Sequence, residues 1–162
     1  MGDNDDNRKL TPVVNYVLIA VNIPVFVAFQ NFGNNQEFIA SFSAVPEEII
    51  TGTDITTGGL GTSPSPIYFT LITSMLMHGG IAHTTGNMLC LWVFGDNLEN
   101  VIRSIKYLCF YLFCGILASM SHVFVTSFTG NDVLIPGLGA SGAISGFLGG
   151  YLVLFPKNQV RV

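Results

Sequence analysis

The sequence predicts an all-α, polytopic transmembrane helix bundle, and three observations predict it. Of the 162 residues, 49% are hydrophobic and only 10% are charged, far below the roughly 25% charged of a soluble domain. Four stretches approach or reach the roughly 17 to 25 apolar residues that cross a bilayer. Once those stretches are laid out as spans, all six Lys and Arg residues fall on one side, which is the positive-inside pattern.

The elements follow in order. Residues 1–12 are polar and acidic with no small-residue cleavage site behind them, so they read as a short cytoplasmic tail rather than a signal peptide. Residues 13–30 form the first span, with Pro24 tolerated because neighbouring groups can satisfy the carbonyl it frees. An outer loop with an interfacial helix occupies 31–80. Its first half carries Glu37, Glu47, Glu48 and Asp54 but no cation, and its apolar part from Ile67 is too short to span before the chain breaks at His78-Gly79-Gly80. The second span covers 81–99, the third 106–128 and the fourth 139–155, closed by Pro156. Arg8, Lys9, Arg103, Lys106, Lys157 and Arg161 then lie on the side of the N-terminus, which is placed in the cytoplasm. The compact N-terminus suits a prokaryotic plasma membrane.

Composition also excludes function classes. A net charge of −4 with six dispersed cations argues against nucleic acid as a partner. Cys90, Cys109 and Cys114 sit in apolar segments without metal-type or paired spacing, and read as free, buried side chains. No metal or cofactor is expected.

Ionisable and amide groups inside a bilayer point to function by default, because each is costly to bury without a partner or water. His83 and Asn87 are four positions apart and share one helical face, with His78 just before that helix. His122, alone on its helix, reads as a structural hydrogen-bonding residue. In GLGASGAISGFLGG, residues 137–150, Gly142, Gly146 and Gly150 form a small-xxx-small seam for close helix packing, within which Ser145 would hydrogen-bond. Ser141 falls one position ahead of the seam at the outer helix end, where unpaired N–H groups and the positive dipole end favour negative charge. The residues do not match the G-x-S-x-G elbow between strand and helix.

In combination, HGGIAHTTGN (His78, His83, Asn87), GDNLEN with Glu99, YLFCG (Tyr111, Gly115) and GASGAISG (Ser141, Gly142) resemble the rhomboid family of intramembrane serine proteases, in motif, order and topology, from about Thr11 to Val162. The resemblance implies that Ser141 is the nucleophile attacking a carbonyl in a substrate's transmembrane segment. It implies that His83 and Asn87, with the Ser141 N–H, form the oxyanion hole, and that His78 helps hold water at the site. Gly139 and Gly142 would keep the backbone open around the serine, and Glu99 would anchor the inner loop. Its partners would be transmembrane protein substrates in the lipid bilayer.

The family pattern is a six-helix core with a Ser–His dyad whose histidine lies on the sixth helix. Four spans are present here and no residue matches that base, so the histidine is expected beyond Val162 and the 162-residue chain alone is expected to be inactive. The Trp-Arg loop motif of many members is also absent, the one tryptophan being Trp92. A non-catalytic rhomboid-like protein that binds transmembrane clients is the competing reading, disfavoured by the intact Ser141, His83 and Asn87.

Overall fold

The computed structural model describes residues 11–55, 61–130 and 132–154. Among them the regular structure is helical, with one isolated antiparallel bridge between Ala44 and Gly137 and no strand. Helix α1 (Val13–Pro24) runs on as a π-helical turn, Val25–Phe29. Pro24 lacks the N–H that would close the bond four residues back, so the ladder shifts there. The outer loop holds two short helices, α2 (Gln36–Phe42) and α3 (Pro46–Thr51). Next comes a mixed helical segment, Ile67–Leu76, with α4 (Thr70–Thr73) at its centre.

Helix α5 (Ile81–Cys90) continues through a π turn, Leu91–Gly95, into α6 (Asp96–Ile102). Arg103 turns the chain at φ 71°. Helix α7 (Ser104–Thr129) follows, then α8 (Ser141–Leu154). At 26 residues α7 is about 39 Å long, and it is long and apolar enough to cross a membrane. Val13–Phe29 and Ser141–Leu154 are shorter apolar helices.

The surface is the reverse of a soluble protein's. Ile105, Phe124, Phe128, Leu152 and Val153 are 69–85% exposed, whereas Asn15, Asn22, Gln30, Glu48, His78 and Glu99 are fully buried. Apolar side chains outside and polar groups inside is the arrangement a bilayer enforces. The apolar core lies where α7 and α8 meet the π turn of α5, around Leu91, Tyr107, Ala143 and Phe147.

Two buried carboxylates hold the two ends. Glu48 accepts from the Ile55 N–H (3.0 Å) and the Ser63 hydroxyl (2.8 Å), tying the outer loop to α3. At the inner end, Glu99 accepts from the Val14 and Asn15 N–H groups at 3.1 and 2.8 Å and from the Ser104 hydroxyl at 2.5 Å. Val14 and Asn15 lie in the first turn of α1, whose N–H groups have no intrahelical partner, so a carboxylate from a distant helix caps α1 and meets its positive dipole end. The Asn15 amide extends the network, donating to the Leu91 carbonyl (2.9 Å) and accepting from the Tyr107 hydroxyl (3.0 Å).

Candidate active site

The start of α8 sets the geometry. Gly139 has φ +107° and donates its N–H to the Ser74 carbonyl at 2.8 Å, and Ala140 is fully buried. Ser141 is the first residue of α8 and is exposed. The first bond of the helix runs from the Ile144 N–H to the Ala140 carbonyl (2.9 Å). The N–H groups of Ser141, Gly142 and Ala143 therefore precede the ladder, at the positive end of the helix dipole. That end suits an anion formed at Ser141.

His83 enters from α5. A Cβ on Gly139 would lie 2.7 Å from both Cε1 and Nε2 of His83 and 3.5 Å from Ser141 Oγ. The two side chains thus converge over Gly139, where both the positive φ and the lack of space require glycine. Asn87 follows one turn later on the same face. It is buried, and its Nδ2 has no hydrogen-bond partner among the described residues.

His78 lies in the turn before α5, fully buried, with its ring centroid 5.2 Å from that of His83. Its Nδ1 is 3.2 Å from the Leu76 carbonyl. A carbonyl only accepts, so Nδ1 carries the proton and Nε2 is left as an acceptor. Burial holds the pKa of His78 down to about 4, against the pull of the Leu76 carbonyl and with a further push from His83. The unfolded chain therefore takes up the proton first. His78 leaves stability untouched above about pH 6.5 and lowers it as pH falls towards 4, by up to about 3 kcal/mol. Chemical denaturation in detergent across that window checks this, and His78→Gln should flatten the acid slope.

Ser141 also borders a cavity of about 240 Å³ lined by Ser74, Ser119, His122 and Gly137. His122 Nε2 is 3.5 Å from the Ile135 carbonyl, a marginal hydrogen bond, and its ring packs on Gly137. The sequence offered no reason to group His122 with Ser141. What joins them is the turn at 137–139, which folds back to Ala44 and Ser74 through the Gly137 and Gly139 N–H groups (2.9 and 2.8 Å).

With this geometry in view, the Rhomboid domain family model matches residues 66–162, more than half of the chain. The chain belongs to the rhomboid family. Rhomboids are integral membrane proteins, which accounts for the apolar exterior. Rhomboid protease GluP of Bacillus subtilis is 29% identical over 91% of this chain and 26% of its own length. Rhomboid protein 1, mitochondrial, of Saccharomyces cerevisiae is 25% identical over 90% of the chain and 37% of its own. The putative rhomboid protease YdcA of B. subtilis is 31% identical over 74% and 58%. The chain thus spans between about a quarter and somewhat over half the length of these relatives. No solved structure matches it.

In this rhomboid chain Gly142, Gly146 and Gly150 of α8 face α7. A Cβ on Gly142 would collide with Ala118, one on Gly146 would lie 2.5 Å from Cys114 Sγ, and one on Gly150 would lie 3.6 Å from Phe110. Ser145 does not join them as expected. It is exposed, on a face with Ser141 and Gly149, because one residue is a turn of about 100° around a helix.

Proposed function

We propose that the protein is an intramembrane serine endopeptidase that cleaves transmembrane segments of other membrane proteins, with Ser141 as nucleophile. One observation carries this reading. Asn87 Nδ2 is a buried donor without a partner among the described residues, on the face of α5 that brings His83 over Gly139 to Ser141. A buried donor left unpaired costs about 1–3 kcal/mol. An oxyanion formed at Ser141 would accept from it, from His83 and from the Ser141 N–H, so the cost in the resting state becomes stabilisation in the transition state.

In this reading Ser141 Oγ attacks the scissile carbonyl carbon as a base takes its proton, and the carbonyl electrons move onto oxygen in the hole. Collapse expels the amine, which receives the proton from the base, and leaves an acyl ester on Ser141. Water adds to that ester with the same base assisting and releases the acid. His78 supports the site, and Gly139 and Gly142 leave room around the serine. Gly146 and Gly150 let α7 approach, while Glu99 fixes the inner end.

The base in this proposal is a histidine outside residues 1–162. No hydrogen bond joins Ser141 to His83 or His122, and His83 is assigned to the oxyanion. The exposed face of Ser141, Ser145 and Gly149 has small residues at every fourth position, which admits a closely packed helix. The proposed setting is a prokaryotic plasma membrane, and the one-sided placement of the six cations supports an N-terminus in the cytoplasm.

A serine-directed fluorophosphonate tests the site. On the whole protein in detergent it should add to Ser141, with an Oγ–P bond formed, fluoride expelled and the proton passed to the base. Mass spectrometry would then find the adduct on the peptide containing residues 137–150. Absence of an adduct on folded protein would reject the nucleophile and favour a rhomboid that binds transmembrane clients without cutting them.

A further inference from the structure

Gln30 ends the π turn of α1, on a different element from every residue assigned above, and it is fully buried. Its Oε1 accepts from the His78 N–H at 2.8 Å, and its Nε2 donates to the Leu76 carbonyl at 2.8 Å. One side chain, 48 residues from His78 in sequence, thus pairs the Leu76 carbonyl and the His78 N–H of the turn that leads into α5. Its own backbone is also engaged: its N–H donates to Val25, and its carbonyl accepts from Gly33 and Asn35 (2.9–3.1 Å). The clamp is rigid at its base. Gly33, at φ +90°, brings this corner so close to the Gly79-Gly80 backbone that a Cβ there would lie 3.2 Å from Gly80 Cα.

The Leu76 carbonyl held by Gln30 is also the acceptor that fixes His78 as the Nδ1–H tautomer. His78 Nε2 is consequently a buried lone pair with no partner among the described residues. The His78 ring packs edge-on between Phe26 (centroids 6.3 Å apart) and His83 (5.2 Å). The amide of Gln30 is therefore linked in sequence to the Leu76 carbonyl, the His78 ring, the His83 ring and the space over Gly139 that Ser141 shares.

We infer that Gln30 is a positioning residue for the reaction: it sets the tautomer and orientation of His78 and, through His78, the placement of His83 beside Ser141. The inference rests on the protease reading for its effect on rate, though not for its effect on His78. A displacement of about 1 Å at a reacting group can cost on the order of 10²-fold in rate. Loss of the clamp would therefore lower kcat while leaving KM, set by substrate contacts elsewhere, nearly unchanged.

The test uses the whole protein labelled with ¹⁵N in its histidine rings, alongside Gln30→Met, which keeps the length of the side chain and removes both hydrogen bonds. In the unaltered protein His78 should show the Nδ1–H tautomer; finding Nε2–H there overturns the inference without any variant. In Gln30→Met the His78 signals should move towards a mixture of tautomers, and kcat on a transmembrane substrate should fall about 10- to 100-fold with KM within about twofold. An unmoved tautomer in folded Gln30→Met overturns the clamp. A moved tautomer with unchanged kcat, where Ser141→Ala abolishes cleavage, overturns the link to His83. If the unaltered protein and Ser141→Ala are equally inert, it is the protease reading that fails, and the ring signals still decide the clamp.

Discussion

Ser141→Ala in the whole protein is expected to reduce cleavage of a transmembrane substrate by on the order of 10⁴-fold or more, to background. The loss is large because Ser141 is the hydroxyl placed beside His83 over Gly139 in the proposed mechanism. The substitution should also be structurally silent. Ser141 Oγ makes no hydrogen bond among the described residues, the side chain is exposed, and alanine is well tolerated early in a helix. Unfolding in detergent should shift by no more than about 0.5 kcal/mol. Loss of activity with unchanged stability separates a chemical role from a packing role. Residual turnover within tenfold of the unaltered protein would remove Ser141 from the mechanism.

The same assay bears on the base. A neutral serine without a tuned base is a weak nucleophile, so the 162-residue chain assayed alone reports whether a base lies within it. Turnover by that chain, lost in Ser141→Ala, would mean that His83 or His122 serves as base after all. His122 is the less expected of the two, and it nevertheless shares the cavity beside Ser141.

The all-α character was legible in the sequence because hydropathy and periodicity are local properties, and among the described residues α7 is the helix long and apolar enough to cross a membrane. The convergence of Ser141 with His83 was accessible only through resemblance, since the α5–α8 approach depends on two turns whose geometry no periodicity reports. Within the outer loop, the starts of α2 and α3 carry helix-start residues in the sequence. Asn35 caps α2 by accepting the Phe38 N–H at 3.3 Å, and Pro46 opens α3 followed by Glu47 and Glu48, both ordinary helix-start chemistry. The partners of Glu99 and Gln30 were out of reach in a different sense. Apart from the Glu99–Ser104 bond, their side-chain hydrogen bonds join residues 46–85 positions apart, and a polar residue in an apolar segment announces a need for a partner without naming it. Ser145 was misplaced by a single residue, which on a helix is enough to move a side chain from the α7 seam to the open face.

Asn87→Ala is expected to lower kcat by about 10² to 10³-fold with little change in KM. In the proposed mechanism ground-state binding does not use the Asn87 amide, whereas the transition state does. Its Nδ2 has no partner among the described residues, so truncation removes an unpaired buried donor rather than a bond, and stability should hold or rise slightly. A purely structural asparagine would behave in the opposite way, with unfolding made easier and kcat largely retained per folded molecule. Asn87→Asp sharpens the contrast. It preserves shape but replaces the donor by an acceptor that repels the oxyanion, and should be at least as damaging as alanine. Combining Asn87→Ala with Ser141→Ala should add almost nothing to the loss from Ser141→Ala alone, because a donor aimed at an oxyanion has no work to do once the oxyanion cannot form.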